Sequence, residues 1–205
     1  NSIKRKMKTA GSVFIILLLF VLVACSEDSD MEKYNKLVKK ELAANKRVDS
    51  IFLGTYFGMS QKRFFMHCWE MNKKGILTDG NDGTGKMTVL YKLDKELKYP
   101  ASMNFYPDFN DSTIWRMRTL FHYDGWGPWN KHMAADSLLP DVVSLYKRWY
   151  REGNPFITIN DKAKGTLYVK VDGNRKIVIG KYDDVLVKAE YTDMLTEKIM
   201  DKNAK

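Results

Sequence analysis

Thr113–Tyr123, TIWRMRTLFHY, alternates in steps of two. Trp115, Met117, Phe121 and Tyr123 fall on one side, and Arg116, Arg118 and His122 on the other. This is the pattern of a β-strand with one buried and one wet face. Two strand-like runs precede it, Lys86–Leu93 and Ala101–Phe105, and Phe109-Asn110-Asp111-Ser112 carries turn chemistry between the last two strands. Together they predict an antiparallel meander.

Working outward, Leu138–Glu152 is the clearest helix. Pro140 and Asp141 suit its first turn, Val142, Leu145, Tyr146 and Trp149 form an apolar stripe, and Gly153 ends it. Four short runs follow: Phe156–Ile159, Gly165–Val171, Arg175–Lys181 and Val185–Tyr191. Asp172-Gly173 and Asp183-Asp184 mark the turns of this second meander. Thr192–Asp201 closes the chain as a short helix.

On the other side, Met31–Val48 places Tyr34, Leu37, Val38 and Leu42 at helical spacing among lysines and glutamates. Ile51–Phe57 reads as a short strand. Ser60 caps a second helix, with Phe64, Phe65, Cys68, Met71 and Asn72 on a core-facing stripe and Gly75 as the stop. The expected fold class is α+β. An N-terminal helix is followed by two helix-plus-antiparallel-meander units, roughly 50–135 and 136–205, that form one domain over 31–205. A structural duplication would join the two meanders into one curved sheet with the helices on one side.

Thr78–Lys86, TDGNDGTGK, holds two near-motifs. Gly80, Gly85 and Lys86 fit a phosphate loop, but Met87 stands where the magnesium-binding hydroxyl belongs, and a strand rather than a helix follows. As a calcium loop it has Gly83 at the third ligand position and Leu90 at the twelfth. It reads as a flexible hairpin loop. His122, Asp124, His132 and Asp136 match no metal-ligand spacing, so no metal or other cofactor is expected.

Tyr123–His132, YDGWGPWNKH, sets Tyr123, Trp126 and Trp129 among Gly125, Gly127 and Pro128. Two readings stand. The aromatics form a platform for a sugar ring or a partner's anchor residue, or the loop folds back and plugs the core with its tryptophans.

The first 24 residues read as an address. Lys4, Arg5, Lys6 and Lys8 precede an apolar run, Val13–Ala24, of secretory length, too short to span a bilayer. Leu22-Val23-Ala24-Cys25 resembles the lipobox of bacterial lipoproteins. That resemblance implies cleavage after Ala24 and acylation of Cys25, and two or more acyl chains anchor a protein stably. The alternatives are an uncleaved anchor or an ordinary secretory peptide. Ser26 directly after the cysteine resembles lipoproteins sent to the outer membrane, and the acidic tether 25–30 resembles the export tag of surface-exposed ones. Loss of the leader lowers the formal charge from +9 to +5, which leaves little basis for a nucleic-acid partner. Cys68 is then left without a disulfide partner and reads as a buried, inert thiol.

Gly58-Met59-Ser60 before an amphipathic helix resembles the opening of units in the β-lactamase-inhibitor-protein fold and the BamE-type barrel-assembly accessory lipoproteins. The second half of the chain lacks that motif. The chain as a whole resembles envelope lipoproteins of gut-type Gram-negative bacteria. These resemblances imply protein or ligand binding rather than catalysis. The expectation is a non-enzymatic outer-membrane or cell-surface lipoprotein, held by lipid on Cys25, that binds a protein partner. The alternative is a glycan-binding module built on Tyr123, Trp126 and Trp129.

Overall fold

The computed structural model describes residues 29–81 and 87–203. Cys25, the leader, most of the acidic tether and the Gly85-Lys86 pair lie outside the described residues. The first helix, α1, spans Asp30–Ala43, and the Ser29 hydroxyl caps it by accepting from the Glu32 amide at 3.2 Å. It stops short of the predicted Val48 because Asn45 turns into the left-handed region (φ 52). Residues 46–59 then run as an irregular strap. The strand expected at Ile51–Phe57 is instead a tight reversal through Leu53 (φ 48) and Gly54 (φ 79). The Thr55 amide and hydroxyl both donate to Phe52 O, at 2.9 and 2.6 Å. Its apolar residues still serve the core, with Ile51, Phe52 and Phe57 buried.

Helix α2, Gln61–Lys73, starts at the Ser60 cap, whose hydroxyl accepts from the Arg63 amide, and ends before Gly75 at φ 69. Strand β1, Leu77–Asn81, pairs antiparallel with β2, Met87–Leu93. The predicted flexible loop is therefore half strand. Buried Leu77 fixes its register, and Asn72 Nδ2 donates to the Leu77 carbonyl at 2.8 Å. Strand β3 (Ala101–Asn110) and β4 (Thr113–Tyr123) are joined by Asp111 and Ser112, both at positive φ (46 and 62). That two-residue turn matches the twist of the flanking strands, so Phe109 and Asn110 belong to the strand rather than to the turn. A bulge at Asp108/Phe109 shifts the register, burying Ile114 and leaving Trp115 half-exposed under the Arg116 guanidinium.

Helix α3 spans Ala135–Trp149. It begins earlier than expected because the Ala135 amide donates to Asp184 O across the fold, at 2.9 Å. Pro140 thus lies inside the helix rather than in its first turn. The helix also ends earlier, and Gly153 (φ 82) sits in the following turn. There any Cβ would collide with the Asp172 carboxylate. Strands β5 (Ile157–Asp161), β6 (Gly165–Asp172), β7 (Arg175–Lys181) and β8 (Val187–Asp193) follow, with helix α4 at Met194–Asn203.

All eight strands form one antiparallel sheet, ordered β1-β2-β3-β4-β8-β7-β6-β5. The two meanders meet at their last strands, from Arg116↔Thr192 to Phe121↔Val187. The fold class is α+β, as expected. The helices, however, do not lie on one side. Ile177 and Ile179 of β7 enter the main core under α3, whereas Val178 between them joins a second cluster under α1. Adjacent strand residues point to opposite faces, so α1 packs on the face away from α3. Its Tyr34, Leu37, Val38 and Leu42 cover Ile159, Val169 and Val171. The main core is aromatic: Tyr146 lies within 6 Å, ring to ring, of Phe121, Trp149, Tyr150 and Tyr191. No described helix is long and apolar enough to cross a membrane.

Candidate binding surface

Helix α2 carries Phe64, Phe65, Met66, Cys68, Trp69 and Met71, apolar residues spread over more than one face. Against the single core-facing stripe expected, only Phe64 is buried; Cys68 and Met71 are half-buried and Asn72 is exposed. The helix packs at the β1 edge of the sheet, so one face meets protein. Phe65, Met66 and Trp69 stand out in water at 45, 54 and 61 % exposure. They follow i, i+1, i+4 spacing and share one side of the helix. Lys73 Nζ sits 3.5 Å from the centre of the Trp69 ring, and Lys62 and Arg63 are also exposed on this helix. Glu70 is exposed beside Trp69, so the arrangement is an apolar patch with a rim of three basic residues and one acid. Cys68 beneath it has its thiol pushed up to about 11 by burial alone, so it stays protonated and unreactive.

The aromatic loop divides. Tyr123 is in the core: its hydroxyl donates to Asp141 Oδ2 at 2.6 Å, and its ring meets Tyr99 edge-on. As the last inward residue of β4 it follows the strand, and it is thereby removed from the candidate binding set. Burial, first, and the bond to Asp141 drive its hydroxyl pKa well above the ordinary value. Trp126 and Trp129 are exposed at 42 and 82 %, so the tryptophans do not plug the core. Asn130 holds the loop, its amide donating to Gly127 O and its side chain to Gly125 O, each at 2.8 Å.

Beside this loop, the open face of the sheet carries a polar cluster. Ser102 Oγ donates to Asp124 Oδ1 at 2.5 Å, and Lys92 Nζ reaches both Ser102 Oγ and Asp124 Oδ2 at 2.9 Å. His122 Nε2 lies 3.8 Å from Asp124 Oδ1. Burial opposes the charge of Asp124, but the bonds from Ser102 and Lys92 outweigh it and hold the carboxyl below its usual range. Burial lowers the His122 pKa against the pull of Asp124. Ser102 is itself buried, so the cluster braces the strands and offers no accessible nucleophile. His132 meets the Tyr99 ring edge-on and Asp136 pairs with Lys181. Among the described residues no group of three or more His, Cys, Asp or Glu is placed to hold a metal ion.

A second feature that the sequence reading missed lies inside. Lys170, Asp172 and Arg175 are all buried, although Lys170 sits in a run read only as a short strand. Lys170 Nζ donates to Glu152 O and Asn154 O and lies 3.1 Å from Asp172 Oδ2. No sequence motif announces such a cluster, because the carbonyls that hold Lys170 come from the turn after α3, while Asp172 and Arg175 stand at the end of β6 and the start of β7. Comparison with protein-family models, with curated proteins and with solved structures finds no match to the chain.

Proposed function

We propose that the protein is a non-catalytic lipoprotein of the outer membrane or cell surface, anchored through Cys25, that binds a protein partner through the exposed face of α2. The observation that carries this reading is the trio Phe65, Met66 and Trp69. Three large apolar side chains on one helix face lose nothing structural by being polar there, and such patches mark interaction sites. A tryptophan at the centre of a patch with a mainly basic rim is the composition of an interface anchor, and the rim favours an acidic partner surface.

The test is photo-crosslinking in intact envelopes, with a crosslinker placed at position 69 of the full chain and, as a control, at Lys162 on the β5–β6 turn. One adduct made from position 69, lost on adding Phe65→Ser and Met66→Ser, is the expected result. The same adducts from both positions, or none from either, would end the proposal. Anchoring is checked separately: a palmitate analogue should label the parent chain and not Cys25→Ala.

A second reading, glycan binding by Trp126 and Trp129, is favoured by the 82 % exposure of Trp129 on a braced loop. Glycan arrays probed with the parent and with a Trp126→Ala, Trp129→Ala variant decide it. Signals that survive both substitutions would remove this reading.

A further inference from the structure

Strand β1 is an edge. β2 pairs with one side of it, from Leu77↔Tyr91 to Asn81↔Met87, and no described strand pairs with the other. On that outer side alternate backbone amides and carbonyls point away from the sheet. Asn72 Nδ2 takes up the Leu77 carbonyl. Beyond the ladder with β2, no hydrogen bond among the described residues reaches the Thr78, Asp79 or Gly80 backbone. Thr78 and Asp79 are exposed. A row of open backbone donors and acceptors is the complement of another extended backbone.

A groove of about 230 Å³ runs between this edge and α2. Cys68, Trp69 and Asn72 form its helix wall; Leu77 and Asp79, alternate residues of β1, and Val89 of β2 form the other. Small-molecule sites hold roughly 300–1,000 Å³, so this groove suits a side chain rather than a whole small ligand. Trp69 belongs both to the groove and to the exposed patch, which therefore continues onto the edge. A strand added to β1 sends every second side chain to the groove side.

Charge helps to choose the occupant. Glu70, Lys73 and Lys74 are exposed on the helix side, close to balance, and Asp79 is the one charge on the edge itself. Its carboxylate has no ion pair or hydrogen bond among the described residues. A second copy of this chain, paired antiparallel with the two five-residue strands matched end to end, would set Asp79 against Asp79. Like charges directly opposite are destabilising, whereas opposite charges there stabilise.

We infer that a protein partner docks by adding a strand to β1, with a basic residue opposite Asp79 and an apolar one two positions along, against Trp69. This rests on the reading of α2 as a partner face and names how the partner is held. Main-chain hydrogen bonds supply the hold at the edge, and the groove reads the side chain.

The test uses the full chain in detergent. Its probes are a random phage library of peptides about nine residues long, and then the peptide that the library enriches. Enriched sequences should carry a basic residue two positions from an apolar one. Bound peptide should slow amide exchange across Thr78–Gly80 about tenfold or more, with β5, the other edge, unchanged. N-methylation of the peptide should abolish binding at every second residue and spare those between, since a strand donates to its neighbour only at alternate positions. Trp69→Ser should weaken binding about tenfold or more, with an unchanged melting temperature because the ring is exposed. Asp79→Lys should weaken it as well.

The inference is overturned if the library yields no peptide above background, if N-methylation shows no period of two, or if Trp69→Ser binds like the parent. It is also overturned if β1 exchange slows with rising concentration of the chain alone, the mark of a second copy on the edge. Protection confined to α2 overturns strand addition and leaves the α2 reading in place, which the crosslink from position 69 decides by itself.

Discussion

Helices α2 and α3 each open a run of four antiparallel strands, yet they bury their apolar residues very differently. Six residues of α3 are buried, Ala135, Leu138, Val142, Val143, Leu145 and Tyr146, against Phe64 alone in α2. The cause is position. Helix α3 crosses the middle of the sheet, over β4, β7 and β8, where strands supply partners on all sides; α2 lies at the β1 edge, where they do so on one side only. In α3, large apolar residues are what the fold requires. In α2, Phe65, Met66 and Trp69 exceed that requirement, and the excess is what points to a partner.

The comparison can be broken at four points. Tyr146→Ala empties the centre of the aromatic core and should cost about 3–5 kcal/mol, measured as a lower denaturation midpoint with an unchanged slope. A loss under about 1 kcal/mol would mean that α3 is not the anchor of the sheet. Ser60→Ala removes the α2 cap and should cost about 1 kcal/mol. A much larger loss would show that α2 is more deeply integrated than its exposure implies. Phe65→Ser and Met66→Ser should change stability by no more than about 0.5 kcal/mol, while abolishing the crosslink made from position 69. Loss of folding in either would turn the patch into core.

The fourth point is the smallest effect, in the polar cluster at the other end of the buried-to-exposed scale. His122 and Asp124 both have folded pKa values below their unfolded ones of 6.5 and 3.8. For both, the native form binds fewer protons, so their contribution is complete above the unfolded pKa and falls away as pH drops through the folded one. Stability should decline shallowly below pH 6.5 because of His122 and again below 3.8 because of Asp124. Denaturation of the parent against His122→Gln should show a flatter profile for the variant in the upper window. Identical profiles would mean that His122 titrates alike in both states.

Much of the fold was legible from residues. Strands β4 and β7 have the limits read from the sequence, β4 from its period-two alternation and β7 from the turn residues that flank it. The Ser60 cap and the Gly75 stop are likewise local chemistry, each decided within four residues. Where the reading failed, a distant contact overrode a local preference. The TDGN strand forms against β2 despite its turn-like composition. Pro140 is carried inside α3 because Asp184 O fixes the helix start.

The candidate site was legible only in part. Trp126 and Trp129 were identifiable from a Gly/Pro loop, but the reach of β4 claimed Tyr123 for the core. The sequence by itself determined the α+β class, the two meanders and the chemistry at the helix ends, since these follow from period and from residues a few positions apart. The tertiary structure alone decided that the meanders join through β4 and β8, that α1 covers the opposite face, and that Phe65, Met66 and Trp69 face water. Whether an apolar residue is core or surface depends on what packs over it, and that neighbour is set by chain segments the local pattern does not contain.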